Sequence, residues 1–206
     1  LMSISMLTIP LVDATAKYLS SAHSPLYISW ARYVVACMVV LPVTIVRFRN
    51  EFLPRERIGA HILRTLFLMT AMTFYFLAIA RIPLASAISA FFVAPIIAMV
   101  LAVLFLGEAL TVRKIISLML GFIGALIILR PSASMDPGIV LAISAGGFFG
   151  MYMIATRQAS LESDPVKTLA FQCLVGVALL TPQALWKWSI PAAGELWLFV
   201  AMGTMS

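Results

Sequence analysis

Three ionisable side chains stand where such groups are expensive. Asp13, Lys17 and Arg32 interrupt the apolar runs at residues 1–20 and 27–46, and a charge at a bilayer centre costs at least ~2.5 to 3.5 kcal/mol on insertion scales. Asp13 and Lys17 are four residues apart, the spacing that puts two side chains on one face of a helix. Arg32 lies about a turn and a half into the next, antiparallel run, counted from the same membrane side. The three are expected to meet near the outer leaflet. They act there either as an ion bridge that fixes the packing of the first two helices, with Lys17 snorkelling outward, or as an ionic lock or charged-substrate contact. Glu108, in "LGE" at 106–108, raises the same choice at the opposite boundary. Gly107 suits a helix C-terminus. Glu108 is placed to favour the start of the next helix or pair with Arg113 or Lys114, or to act as a gate contact.

Pro95 sits inside the apolar stretch "AFFVAPIIAMVLAVLFLGEAL". With no N–H for the carbonyl of Phe91, and a ring that presses on the preceding turn, it should kink the helix. Broken helices are tolerated in membranes where they face protein or a wet cavity. Thr73, Tyr75, Ser89, Phe91, Phe92, Pro95, Tyr152 and Gln172 are the candidate lining of such a cavity. Ser86, Ala90, Ala94, Ala98 and Ala102 recur every four residues and form a ridge that lets helices approach closely. Gly121, Ala125 and "SAGGFFG" at 144–150 extend the theme. His61 and Arg64 open the third run, where a snorkelling interfacial role is ordinary.

The elements that must hold these residues follow from composition. The 206 residues are 63% hydrophobic and 11% charged, with mean hydropathy +1.07, against about a quarter charged in soluble domains. The chain reads as an all-α integral membrane protein, a polytopic helical bundle. Spanning takes about 20 apolar residues, and such runs fall at 1–20, 27–46, 60–80, 84–106, 112–129, 138–156 and 168–185, with an eighth starting near Leu196. Seven full helices and part of an eighth are therefore expected, in what reads as a fragment. Cys37 and Cys173 lie within spans and lack metal-ligand spacing, so packing is their expected role.

If the helices alternate, the 14 basic residues fall nine to five. Arg47, Arg49, Arg55, Arg57, Arg64, Arg113, Lys114, Arg157 and Lys167 take the cytoplasmic side, and Lys17, Arg32, Arg81, Arg130 and Lys187 the outer one. The net charge of +6 is thereby a topology signal, with no nucleic-acid partner implied. Sliding the chain by 140 positions aligns residues 24–42 with 164–182. Pro25 then meets Pro165, Pro42 meets Pro182, Lys17 meets Arg157, Asp13 meets Met153 and Arg32 meets Gln172. An offset of five helices implies a second unit upside down relative to the first, the arrangement of alternating-access transporters.

Residues 64–131 are similar to the first repeat of an EamA-type transporter of the drug/metabolite transporter superfamily. The resemblance rests on "PLA" at 83–85, Pro95, "LGE" at 106–108, a Gly-containing helix ending "RP" at 130–131, and "WARY" at 30–33. Some proteins it resembles are S-adenosylmethionine uptake carriers. The resemblance implies two inverted five-helix repeats, the first at 1–131 and a truncated second at 137–206. It implies secondary-active transport of an amino acid or other small metabolite across the inner (plasma) membrane, with a second copy of the chain as a further candidate partner. No cofactor or metal is expected. Neither Gly-x-x-x-x-Gly-Lys, His-Glu-x-x-His nor Gly-x-Ser-x-Gly occurs, which argues against an ATP-driven pump or an intramembrane enzyme. The competing class is a membrane scaffold or half-size subunit that needs a partner chain.

Overall fold

The computed structural model describes residues 2–49, 58–109, 111–129, 136–159, 164–186 and 194–204. Most of the basic loop after Arg49, including Arg55 and Arg57, lies outside the described residues, as do Arg130, Pro131 and Lys187. Among the described residues all regular structure is helical: α1 (Met2–Leu19), α2 (Pro25–Phe48), α3 (Ile58–Arg81), α4 (Leu84–Phe91), α5 (Val93–Leu106), α6 (Val112–Leu129), α7 (Pro137–Ala159), α8 (Pro165–Trp186) and α9 (Leu196–Thr204).

The apolar runs account for these elements, and local chemistry sets their ends. α2, α7 and α8 each open on proline, whose missing N–H is no loss in a first turn. Two of these prolines follow an aspartate that accepts an orphan donor. Asp136 Oδ1 takes the Gly138 N–H at 2.7 Å and Asp164 Oδ1 takes the Val166 N–H at 2.8 Å. α5 closes at Gly107, which adopts φ 65° and ψ 25°, a left-handed conformation that glycine reaches without a Cβ penalty.

The helices form two compact units, Leu1–Thr65 with Ala159–Ser206, and Leu66–Gln158. In the first, α2 packs against α8 and α9, and α1 touches α2 and α9. Gly176 lets α8 close on α2, since a Cβ there would stand 2.6 Å from Tyr33 Cδ1, and Gly203 does the same for α9 against Val35. Trp30 Nε1 donates to Thr181 Oγ1 at 3.0 Å across the same α2–α8 seam. Cys37 and Cys173 are buried free thiols. In the second unit α6 packs mainly on α4 and touches α5 sparingly. Ala78, Ala90 and Ala142 form a buried cluster that brings α3, α4 and α7 together. The expected ridge is real along α4 and α5, where Ala90, Ala94, Ala98 and Ala102 are all buried.

Candidate functional site

The long apolar run from Leu84 to Leu106 is broken, as Pro95 requires. α4 ends at Phe91, Phe92 forms a turn, and α5 restarts at Val93. The Phe92 N–H is shared between the carbonyls of Ile88 and Ser89, each at 3.2 Å. Phe91 O is the carbonyl that Pro95 leaves without its helical donor. α7 crosses the break at that point. A Cβ on Gly146 would lie 2.7 Å from Phe91 O and 2.6 Å from Val93 Cγ1, and one on Gly150 would lie 2.9 Å from Ala94 O. Glycines one turn apart on α7 thus present bare backbone to the loosened turn, and Cα–H groups are what such a carbonyl can still meet.

Beside the break runs a chain of rings. Tyr75 on α3 lies 5.2 Å from Phe91, Phe91 lies 5.1 Å from Phe149, and Phe149 lies 5.4 Å from Tyr152, centroid to centroid. These distances fall in the favourable range for tilted aromatic pairs. Three candidates from the sequence, Tyr75, Phe91 and Tyr152, are therefore joined through Phe149, which sequence reasoning missed. Its signal was weak, since "GGFFG" shows two aromatic residues and no indication of which one turns toward α4. Ser89 is buried, and its Oγ donates to Ala85 O at 2.8 Å within its own helix. Thr73 is half-buried on α3.

Phe92 and Pro95 line a different space. A cavity of about 770 Å³ lies between α5, α6 and the end of α7, walled by Ala98, Ala102, Gly121 and Met153 and reaching Glu108, Arg113, Lys114 and Arg157. Glu108 pairs with Arg157 and lies 3.5 Å from Lys114 Nζ. The pairing with Lys114 matches one of the two partners the sequence offered. Arg157, which the sequence placed only on the same membrane side as Lys114, joins the cluster through the close passage of α7, which no local pattern encodes.

The first unit holds the remaining candidates. Arg64 is buried at the start of α3, and its Nη2 donates to Gln172 Oε1 at 3.1 Å. His61, one turn earlier, is buried against Phe171 at 5.9 Å. Asp13 and Lys17 on α1 and Arg32 on α2 are all half-buried. A contact with no sequence signal joins His23 Nε2 to Glu195 Oε2 at 2.9 Å, with His23 packed against Tyr27 and Phe199.

Five helical stretches among the described residues, Pro25–Phe48, Ile58–Arg81, Leu84–Leu106, Pro137–Gln158 and Pro165–Trp186, are long and apolar enough to cross a membrane. Together with the buried small-residue ridges they define a multi-pass helical membrane protein. The profile of the EamA-like transporter family matches residues 1–130, and the chain belongs to that family. It is 26% identical over 202 residues to the S-adenosylmethionine uptake transporter of Rickettsia prowazekii, covering 98% of this chain and 68% of that one. It is 29% identical over 195 residues to the S-adenosylmethionine uptake transporter of Rickettsia bellii, covering 93% and 66%. It is 24% identical over 205 residues to the riboflavin transporter of Vibrio cholerae, covering 97% and 69%. The chain thus spans about two thirds of the length of these relatives. A crystal structure of a protein 20% identical in sequence shares the fold with TM-score 0.76 over 97% of this chain and 72% of that one.

Proposed function

We propose that the chain forms most of a secondary-active carrier that moves a small organic metabolite across the inner (plasma) membrane by alternating access. The observation that carries this reading is the broken α4–α5 helix with its aromatic row. An interrupted apolar helix is stable only where protein or a cavity satisfies it, and carriers place such breaks at their binding sites. In this reading residues 1–131 are the first of two inverted five-helix repeats, and 137–206 begin the second.

The α2–α8 seam supports the repeat. Trp30 meets Thr181 and Tyr33 meets Gly176, so α2 and α8 run antiparallel and cross near positions 35 and 175. Those positions are equivalent under the 140-residue offset. Pro25 and Pro165 open the two helices, and Pro42 and Pro182 lie inside them on the far side of the crossing. A two-fold axis in the membrane plane produces this pattern.

The substrate reading follows from the rings and from two chemistries among the relatives. S-adenosylmethionine and riboflavin both carry a flat heteroaromatic group, and the Tyr75–Phe91–Phe149–Tyr152 row offers tilted aromatic faces to such a group. Uptake of labelled S-adenosylmethionine, riboflavin and amino acids into vesicles containing the full-length protein tests it. Saturable uptake of a heteroaromatic metabolite is expected. No flux for any of them favours the scaffold or half-size subunit.

A further inference from the structure

We propose that the cleft between α5 and α6 binds an anionic glycerophospholipid, its phosphate held at Arg113, Lys114 and Arg157 and one acyl chain lying along Ala98, Ala102 and Gly121. Three features of the second unit carry this independently of the transport reading.

Charge is the first. The described residues lining the cavity include three cations and one carboxylate, a net +2. Their exposure sorts them. The Lys114 and Arg157 side chains are 58% and 54% exposed, whereas the Glu108 side chain between them is 23% exposed. An arriving anion meets the cations before the carboxylate. The cluster also stands at the N-terminus of the 18-residue α6, and the positive end of the helix dipole favours a phosphate there.

The walls are the second feature. Beside the charged residues the cavity is lined by Ala98, Ala102, Leu118 and Gly121, and a Cβ on Gly121 would meet nothing within 4 Å. The volume of about 770 Å³ falls in the range of ligand pockets, about 300 to 1,000 Å³. A free phosphate would leave this apolar length empty, whereas a lipid fills mouth and walls together.

The surroundings are the third. Leu104 and Phe105 on α5 are each 71% exposed, and Leu120 and Ile127 on α6 are 66% and 68% exposed. Apolar faces flank the cleft, so it opens between two surfaces suited to hydrocarbon. Basic pockets between membrane helices on the cytoplasmic side are where anionic lipid headgroups bind.

Native mass spectrometry of the full-length protein in mild detergent tests the site, with dioleoyl phosphatidylglycerol, dioleoyl phosphatidylcholine and glycerol 1-phosphate as probes. One phosphatidylglycerol is expected to be retained at least ten-fold better than phosphatidylcholine. A photoactivatable phosphatidylglycerol should cross-link within residues 98–121. Arg113→Gln with Lys114→Gln should reduce retention to the phosphatidylcholine level, and Gly121→Leu should also reduce it without lowering the melting temperature. Equal retention of the two lipids overturns the proposal, as does cross-linking elsewhere, which would include the case where another segment of the full chain fills the cleft. Full competition by glycerol 1-phosphate at the lipid's own concentration assigns the cations to a soluble phosphate and rejects the lipid. Should a variant fail to fold, the wild-type lipid comparison and the cross-link position decide.

Discussion

Gly146→Ala tests whether α7 seats on the helix break. The added Cβ would stand 2.6 Å from Val93 Cγ1, 2.7 Å from Phe91 O and 3.3 Å from Ala94 N. Two of these three atoms are backbone and cannot rotate away, so relief requires α7 to move. Overpacking of this kind costs about 1 to 3 kcal/mol. Against it stands the gain in helix propensity of alanine over glycine, about 0.8 to 1 kcal/mol. Gly147→Ala supplies the internal control, because its Cβ would meet only Ile97 Cδ1 at 3.6 Å, an ordinary contact. It keeps the propensity gain without the clash. The two neighbouring variants should therefore differ in unfolding free energy by about 1 to 3 kcal/mol, roughly five-fold to more than a hundred-fold in the unfolding constant. Reversible unfolding in mixed micelles, followed by circular dichroism, measures that difference. Equal stability of Gly146→Ala and Gly147→Ala would refute the seating of α7 on Phe91 and Val93.

Further outcomes follow from the other contacts. Glu108→Gln should change stability by less than about 1 kcal/mol, because both partner cations are more than half exposed; if Glu108 gates the cytoplasmic side, initial flux should change while expression holds. Gln172→Leu removes an acceptor from the buried Arg64 and should destabilise by about 1 to 3 kcal/mol, whereas Gln172→Glu should stay near wild type in the same unfolding assay. Phe149→Ala breaks two ring pairs, each worth about 0.5 to 1.5 kcal/mol, and should weaken uptake of a heteroaromatic substrate more than that of an aliphatic amino acid. Asp13→Asn alone should impair folding or transport more than Asp13→Asn combined with Arg32→Gln; equal damage would reject the pairing of these two residues.

Much of the fold was legible because a bilayer imposes simple rules on sequence. Among the described residues each helix lies on one of the apolar runs, with outer ends displaced by three residues or fewer, since Pro25, Pro165 and Gly107 punctuate the chain by local sterics; the single run at 84–106 holds two helices, α4 and α5. The break at Phe92 was legible for the same reason, as Pro95 acts on its own preceding turn. The site was legible only in part. Tyr75, Phe91 and Tyr152 could be named as aromatic groups near a break, but their union through Phe149 depends on how α7 is rotated. Periodicity says little there, because "SAGGFFG" is small or aromatic on every side. Glu108 with Arg157, Arg64 with Gln172 and His23 with Glu195 join residues 49, 108 and 172 positions apart. Such contacts are set by packing, and the rules that locate membrane helices carry no information about them.

The carrier reading meets its most direct test in trans-stimulation. Vesicles containing the full-length protein are preloaded with an unlabelled heteroaromatic metabolite, and entry of its labelled form is timed against empty vesicles. A carrier that alternates around one site returns faster when loaded, so preloading should accelerate labelled entry, and the stimulation should fall with Phe149→Ala. Entry at the same rate from loaded and empty vesicles, for every metabolite that enters at all, would contradict alternating access.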